Sequence, residues 1–176
     1  SAVLEVVHYN GRLVAAGDFT TIDELQTSRL GAWDGERWQR LPEGQGVDNS
    51  VRAFAEHNGQ LVAGGYFLRS GSRGQETRSI ALWTGNAWQG LNVMYGVRAL
   101  LSYEGQLIAT GDNYWSSRTH GVLAWNGSEW ISLGNIPENI LGTALTTYRD
   151  DLVVGGHFNR INNQPACGVG RWDGAT

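Results

Sequence analysis

One ten-residue pattern occurs four times in the chain: "NGRLVAAGDF" at 10–19, "NGQLVAGGYF" at 58–67, "EGQLIATGDN" at 104–113 and "RDDLVVGGHF" at 149–158. Its leucines, Leu13, Leu61, Leu107 and Leu152, follow one another at intervals of 48, 46 and 45 residues. Eighteen to 22 residues after each leucine stands a tryptophan: Trp33, Trp83, Trp125 and Trp172. Five residues beyond the first three come Trp38, Trp88 and Trp130, and three residues further on Leu41, Leu91 and Leu133. A period kept in register across 176 residues defines a repeat protein, in which one supersecondary unit recurs and cannot bury its apolar surface alone. The repeats run 3–50, 51–96, 97–142 and 143–176, and the last, "GRWDGAT", stops before its second tryptophan.

Each repeat reads as four short strands separated by turns. In the second, "VRAFAEH" (51–57) meets the Asn58-Gly59 turn and "QLVAGGYF" answers it, a strong hairpin signal. A polar loop from Leu68 to Arg78 follows, then "SIALW", a turn at Gly85, and "AWQGL". No stretch keeps apolar residues at helical spacing for three turns. Four antiparallel strands per roughly 45 residues is the unit of a β-propeller blade. The chain is therefore expected to be all-β, a β-propeller of four-stranded antiparallel blades with the last incomplete, occupying 1–176 as a single domain or as part of one.

The tryptophan pairs test that reading. A turn centred on Gly85 and Asn86 sets Trp83 directly opposite Trp88, whereas one centred on Thr84 and Gly85 makes the rings diagonal neighbours. Both registers put the two rings on one face of the hairpin and Leu91 on the other. Sheets apolar on both faces need a neighbour on each side, which blades stacked around an axis supply. The tryptophans thus read as packing between blades, not as a ligand platform, because an exposed indole forfeits on the order of 4 kcal/mol of burial.

Composition narrows the class. With 41% hydrophobic and 17% charged residues the chain carries no signature of disorder. Net charge is −4, and its 13 basic residues are all arginines scattered singly, so neither nucleic acid nor membrane insertion is expected. One cysteine, Cys167, excludes an internal disulfide framework and a cysteine-based zinc site.

The Gly-Gly doublet closing the second strand (Gly64-Gly65, Gly155-Gly156), an aromatic in the third strand and Trp near the start of the fourth resemble the kelch and galactose-oxidase-like propeller superfamily. The fuller text, "NGQLVAGGYF" then "IALWTGNAWQGL", is more similar to secreted repeat propellers of bacterial surface proteins and to a fungal cortical-marker group. That resemblance implies a propeller fold and an extracellular or cell-surface location. The doublet is broken in the first and third repeats, Ala16-Gly17 and Thr110-Gly111. The missing last strand implies part of a larger propeller, or two copies closing an eight-bladed ring as a homodimer.

Chemistry is scarce. His8, His57, His120 and His157 stand at inequivalent positions, and no metalloprotease, serine-hydrolase, phosphate-loop or EF-hand pattern occurs. No catalytic residue, metal or cofactor is expected, the copper-radical site of galactose oxidase included. What varies among repeats is the residue after the strand-ending glycine, Asp18, Tyr66, Asp112 and His157, and the loop behind it. These four positions, with the adjacent rings Tyr114 and Trp115, are the candidate binding residues, since variable loops on a repeated scaffold carry recognition. Asp18 and Asp112 read more readily as arginine partners than as cation ligands. Asn126-Gly127-Ser128 fits a glycosylation acceptor, and equally a hairpin turn. The expected function is a non-enzymatic scaffold or adhesion module binding protein at its loop face. The alternative is a lectin-like module binding glycan there through Asp112, Tyr114 and Trp115.

Overall fold

The computed structural model describes residues 2–41, 46–71, 74–93, 96–112, 121–135 and 141–174. Among these there is no helix, and the strands form repeating antiparallel sheets. Sheet 1 is built from Val3–Tyr9, Arg12–Gly17, Leu30–Trp33 and Trp38–Gln39, paired in that order. Sheet 2 repeats the arrangement with Val51–His57, Gln60–Gly65, Ile80–Trp83 and Trp88–Gly90. Gly96–Tyr103, Gln106–Asp112, Gly121–Trp125 and Trp130–Asn135 make sheet 3. Among the described residues sheet 4 has three strands, Leu141–Tyr148, Asp151–His157 and Val169–Trp172. The chain divides into two compact units, Ser1–Val93 holding sheets 1 and 2 and Met94–Thr176 holding sheets 3 and 4.

Two backbone devices recur in every sheet. The first two strands are joined by a two-residue turn with both residues left-handed: Asn10 and Gly11, Asn58 and Gly59, Glu104 and Gly105, Arg149 and Asp150. That conformation matches the twist of the flanking strands and favours Asn-Gly, the pair present in sheets 1 and 2. The second device is a bulge in the first strand, at Val3/Glu5, Val51/Ala53, Val97/Ala99 and Gly142/Ala144. Across from it lies the glycine ending the second strand. A Cβ on Gly17, Gly65, Gly111 or Gly156 would collide with the carbonyl oxygen of Ala2, Ser50, Gly96 or Leu141, respectively. Only the second glycine of the doublet is therefore required. The first position tolerates a side chain, which is why Ala16 and Thr110 stand there.

The tryptophan hairpins adopt the directly opposed register. Trp33 faces Trp38, Trp83 faces Trp88 and Trp125 faces Trp130. Ring centroids lie 5.6, 5.1 and 5.3 Å apart at interplanar angles of 58°, 56° and 52°, in the tilted geometry aromatic quadrupoles favour. The turn glycines Gly35, Gly85 and Gly127 have φ of 108°, 97° and 101°. The residue before each supplies a side-chain oxygen to the turn. Asp34 Oδ1 accepts from the Glu36 and Arg37 amides at 2.9 and 3.0 Å, Thr84 Oγ1 from Ala87 at 3.2 Å, and Asn126 Oδ1 from Ser128 and Glu129 at 2.9 Å. Those donors hold the Asp34 carboxyl below its ordinary pKa.

Within the first unit the core lies between sheets 1 and 2. Sheet 1 contributes Val7, Val14, Ala16, Leu30, Ala32 and Leu41, and sheet 2 contributes Phe54, Leu61, Ala63, Ala81 and the Trp83/Trp88 pair. Leu41 of sheet 1 packs on this core and Trp33 and Trp38 do not, whereas in sheet 2 Trp83 and Trp88 belong to it and Leu91 does not, so each tryptophan pair and the leucine three residues on occupy opposite faces, as the spacing requires. In the second unit Leu101, Ile108, Val122, Ala124 and Leu133 of sheet 3 meet Leu145, Leu152, Val154 and Trp172 of sheet 4. A hydrogen bond repeats with these contacts. Tyr9 donates to the Gly59 carbonyl at 3.3 Å, and Tyr103, at the equivalent position, to the Asp150 carbonyl at 2.7 Å. Burial, with the carboxylates of Glu104, Asp151 and Asp150, raises the Tyr103 pKa, so the phenol remains a donor. His57 stands at the same position in sheet 2, and burial lowers its pKa, favouring the neutral ring.

The bulge makes a specific demand that can be measured. Gly65→Ala should lower unfolding free energy by about 2–4 kcal/mol in urea denaturation. Gly155→Ala, whose added methyl meets nothing closer than the Ala144 side chain at 3.7 Å, should stay within about 1 kcal/mol. Equal losses would refute the close-approach explanation.

Candidate functional site

The aligned residues Asp18, Tyr66, Asp112 and His157 follow or end the second strands of their sheets. In the first unit, two of them gather around one arginine. Arg52, in the bulged stretch of sheet 2, reaches Asp18 Oδ2 from Nη2 at 3.8 Å and lies over the Tyr66 ring, 5.3 Å from its centroid. Its Nε is buried and makes no hydrogen bond among the described residues. In the second unit Arg98, the equivalent arginine of sheet 3, pairs through Nε with the buried carboxylate of Asp112. The bulge turns both arginines toward the end of the second strand. Both aspartates are thus engaged by arginines, and no group of three His, Cys, Asp or Glu with metal-holding geometry occurs among the described residues.

His157 is exposed. Thr143 replaces the arginine in sheet 4 and directs its hydroxyl to the Gly155 carbonyl at 3.4 Å. Tyr114 and Trp115 lie outside the described residues, as do Asn113 and His120.

The loops between second and third strands hold order that the sequence reading left as loop. In sheets 1, 2 and 4 each contains a two-stranded ribbon: Thr21–Ile22 with Leu25–Gln26, Arg69–Ser70 with Gln75–Glu76, and Arg160–Ile161 with Gln164–Pro165. Beside the first ribbon is a cleft of about 340 Å³ lined by Thr20, Thr21, Gln26, Thr27, Ser28 and Arg40, with Leu30 and Leu41 among its walls. Arg40 Nε donates to the Gln26 carbonyl at 2.6 Å, tying the fourth strand's end to the ribbon. Sequence reasoning missed this cleft and Arg40. The available signal was the four hydroxyl residues of "TTIDELQTSR". Such a lining offers donors and acceptors to a hydroxylated or anionic small molecule and holds no nucleophile–base pair.

The fold and site geometry define an all-β protein of repeated four-stranded antiparallel sheets. The chain matches no protein-family model, and no curated protein is significantly similar to it.

The two Asp–Arg pairs differ in burial, so their substitution should differ in cost. Asp18→Asn, in a pair with side chains 42% and 34% exposed, should change stability by less than about 1 kcal/mol. Asp112→Asn removes the charge of a carboxylate only 10% exposed, whose pairing with Arg98 is less screened by water, and thermal denaturation should show a clearly larger loss. Equal effects would contradict the assigned geometry.

Proposed function

We propose that this chain is a non-enzymatic β-propeller module of a secreted or cell-surface protein, working as a protein-interaction scaffold. One observation carries the reading: sheet 1 presents to solvent the face that sheet 2 buries. Val6, Leu13 and the Trp33/Trp38 pair are the sheet 1 counterparts of Phe54, Leu61 and Trp83/Trp88. The sheet 2 set lies in the core, whereas Val6 is 46% and Leu13 39% exposed and both sheet 1 tryptophans are half-buried. A contiguous apolar face of this kind marks an association surface. Its neighbour in a propeller is another blade, from a second copy of the chain or from further repeats. The resemblance of the repeat text to secreted surface propellers supports the location, and the use of Asp18 and Asp112 as arginine partners supports a binding role over a catalytic one.

Light scattering across a concentration series tests this surface. The wild-type chain should self-associate with rising concentration, and Leu13→Arg should return it to 19.2 kDa with stability changed by less than about 0.5 kcal/mol. A wild-type monomer at every concentration would count against the surface.

A second reading, glycan binding, is favoured by the hydroxyl-lined cleft beside Gln26 and Arg40. On a glycan array it requires saturable binding that Gln26→Ala or Trp115→Ala abolishes. No glycan bound by the wild type rejects it.

A further inference from the structure

The cleft beside the first ribbon carries charge of one sign. Among the described residues its walls bring the hydroxyls of Thr20, Thr21, Thr27 and Ser28, the carboxamide of Gln26 and the guanidinium of Arg40, with neither a carboxylate nor an aromatic ring. Leu30 and Leu41, which pack in the core of the first unit, supply an apolar wall. Its volume of about 340 Å³ falls within the range of small-molecule sites, about 300–1,000 Å³.

Main-chain bonds fix the frame. Thr21 pairs with Gln26 across the ribbon, the Thr27 amide donates to the Thr20 carbonyl at 2.9 Å, and the Val47 amide donates to the Ser28 carbonyl at 3.0 Å. Gly46 closes on Ser28 so tightly that a Cβ there would overlap the Ser28 carbonyl oxygen. Thr27 donates its hydroxyl to the Leu30 carbonyl, which leaves its oxygen as an acceptor. Arg40 is anchored through Nε on the Gln26 carbonyl at 2.6 Å. Arg52, Arg78, Arg98 and Arg171 each pair with a carboxylate, whereas Arg40 has no such partner among the described residues. Its Nη groups therefore remain as donors on a guanidinium whose position is already set, so an incoming oxyanion meets a side chain that needs little further ordering.

The hydroxyls of a neutral sugar donate as well as accept, and their strongest acceptors are carboxylates. This cleft offers a cation in place of a carboxylate, so its chemistry is completed by a ligand that brings the anion itself. We propose that the cleft selects an anionic sugar residue, its carboxylate or sulfate ester held by the Nη groups of Arg40 and its ring hydroxyls by the Thr, Ser and Gln side chains. The proposal rests on the glycan reading of the same cleft and narrows it to acidic glycans.

The test uses the whole chain and three trisaccharides in calorimetry: a galacturonate trimer, its methyl ester and a sulfated galactose trimer. Esterification removes the charge from the ligand and leaves the protein untouched. Saturable one-site binding of either anion, at least about tenfold tighter than the ester, supports the proposal, and the tighter of the two identifies the oxyanion. In Arg40→Gln that advantage should disappear. Unchanged amide protection at Thr21–Gln26 in this variant separates loss of the charge from loss of the frame. Equal binding of all three ligands, or an advantage that survives Arg40→Gln, would overturn the proposal and leave neutral glycan binding standing. Absence of binding by all three overturns it too, and only an empty glycan array removes the underlying reading with it.

Discussion

Each repeated sheet is apolar on both faces, and the remainder of the architecture follows from covering them. In sheet 2, Trp83, Trp88 and Leu61 face sheet 1, while Ile80, Leu91 and Val62 are buried as well. An isolated sheet of this composition has no stable solution in water, because either face would expose aromatic or branched side chains. Stacking sheet on sheet is what makes the unit foldable. The Tyr9–Gly59 and Tyr103–Asp150 hydrogen bonds add registration to an otherwise non-directional contact, since a tyrosine at a strand end reaches one carbonyl of the neighbouring turn and no other.

The repeating residues are therefore structural, and their chemistry is that of backbone geometry. Glycine ends the second strand because the bulge brings a carbonyl into the space a Cβ would need. Asp34, Thr84 and Asn126 precede the hairpin glycines because each carries a side-chain oxygen that closes the turn. That use explains Asn126 within its turn without reference to modification. What differs among the repeats lies in the sequences of the ribbons between second and third strands and at the bulge, where Arg52 and Arg98 of sheets 2 and 3 have Thr143 as their counterpart in sheet 4.

The fold was far more legible than the site. Equal spacing of leucine, glycine and tryptophan exposed strand order, and the directly opposed register was one of two that the turn residues allowed. Asp18 and Asp112 stand at the aligned position at the end of the second strand, and the identity of their arginine partners had no local signal: Arg52 reaches Asp18 from the neighbouring sheet. The ribbons escaped notice because two-residue strands have too few positions to show a period. The cleft beside Arg40 depends on a strand end folding against a loop fourteen residues earlier in the chain.

By itself the sequence determined the unit: short antiparallel strands, four in each of the first three repeats, joined by tight turns and apolar on two faces. These are local constraints of sterics and alternation, and they act within about 45 residues. Only the tertiary structure decided which faces are covered and which remain open. The same Leu-Trp-Trp set is core in sheet 2 and partly exposed in sheet 1, and Trp172 lies at an edge where its counterparts face a second indole. Burial belongs to the pairing of sheets, and identical local text cannot distinguish a sheet that has a neighbour from one that lacks it.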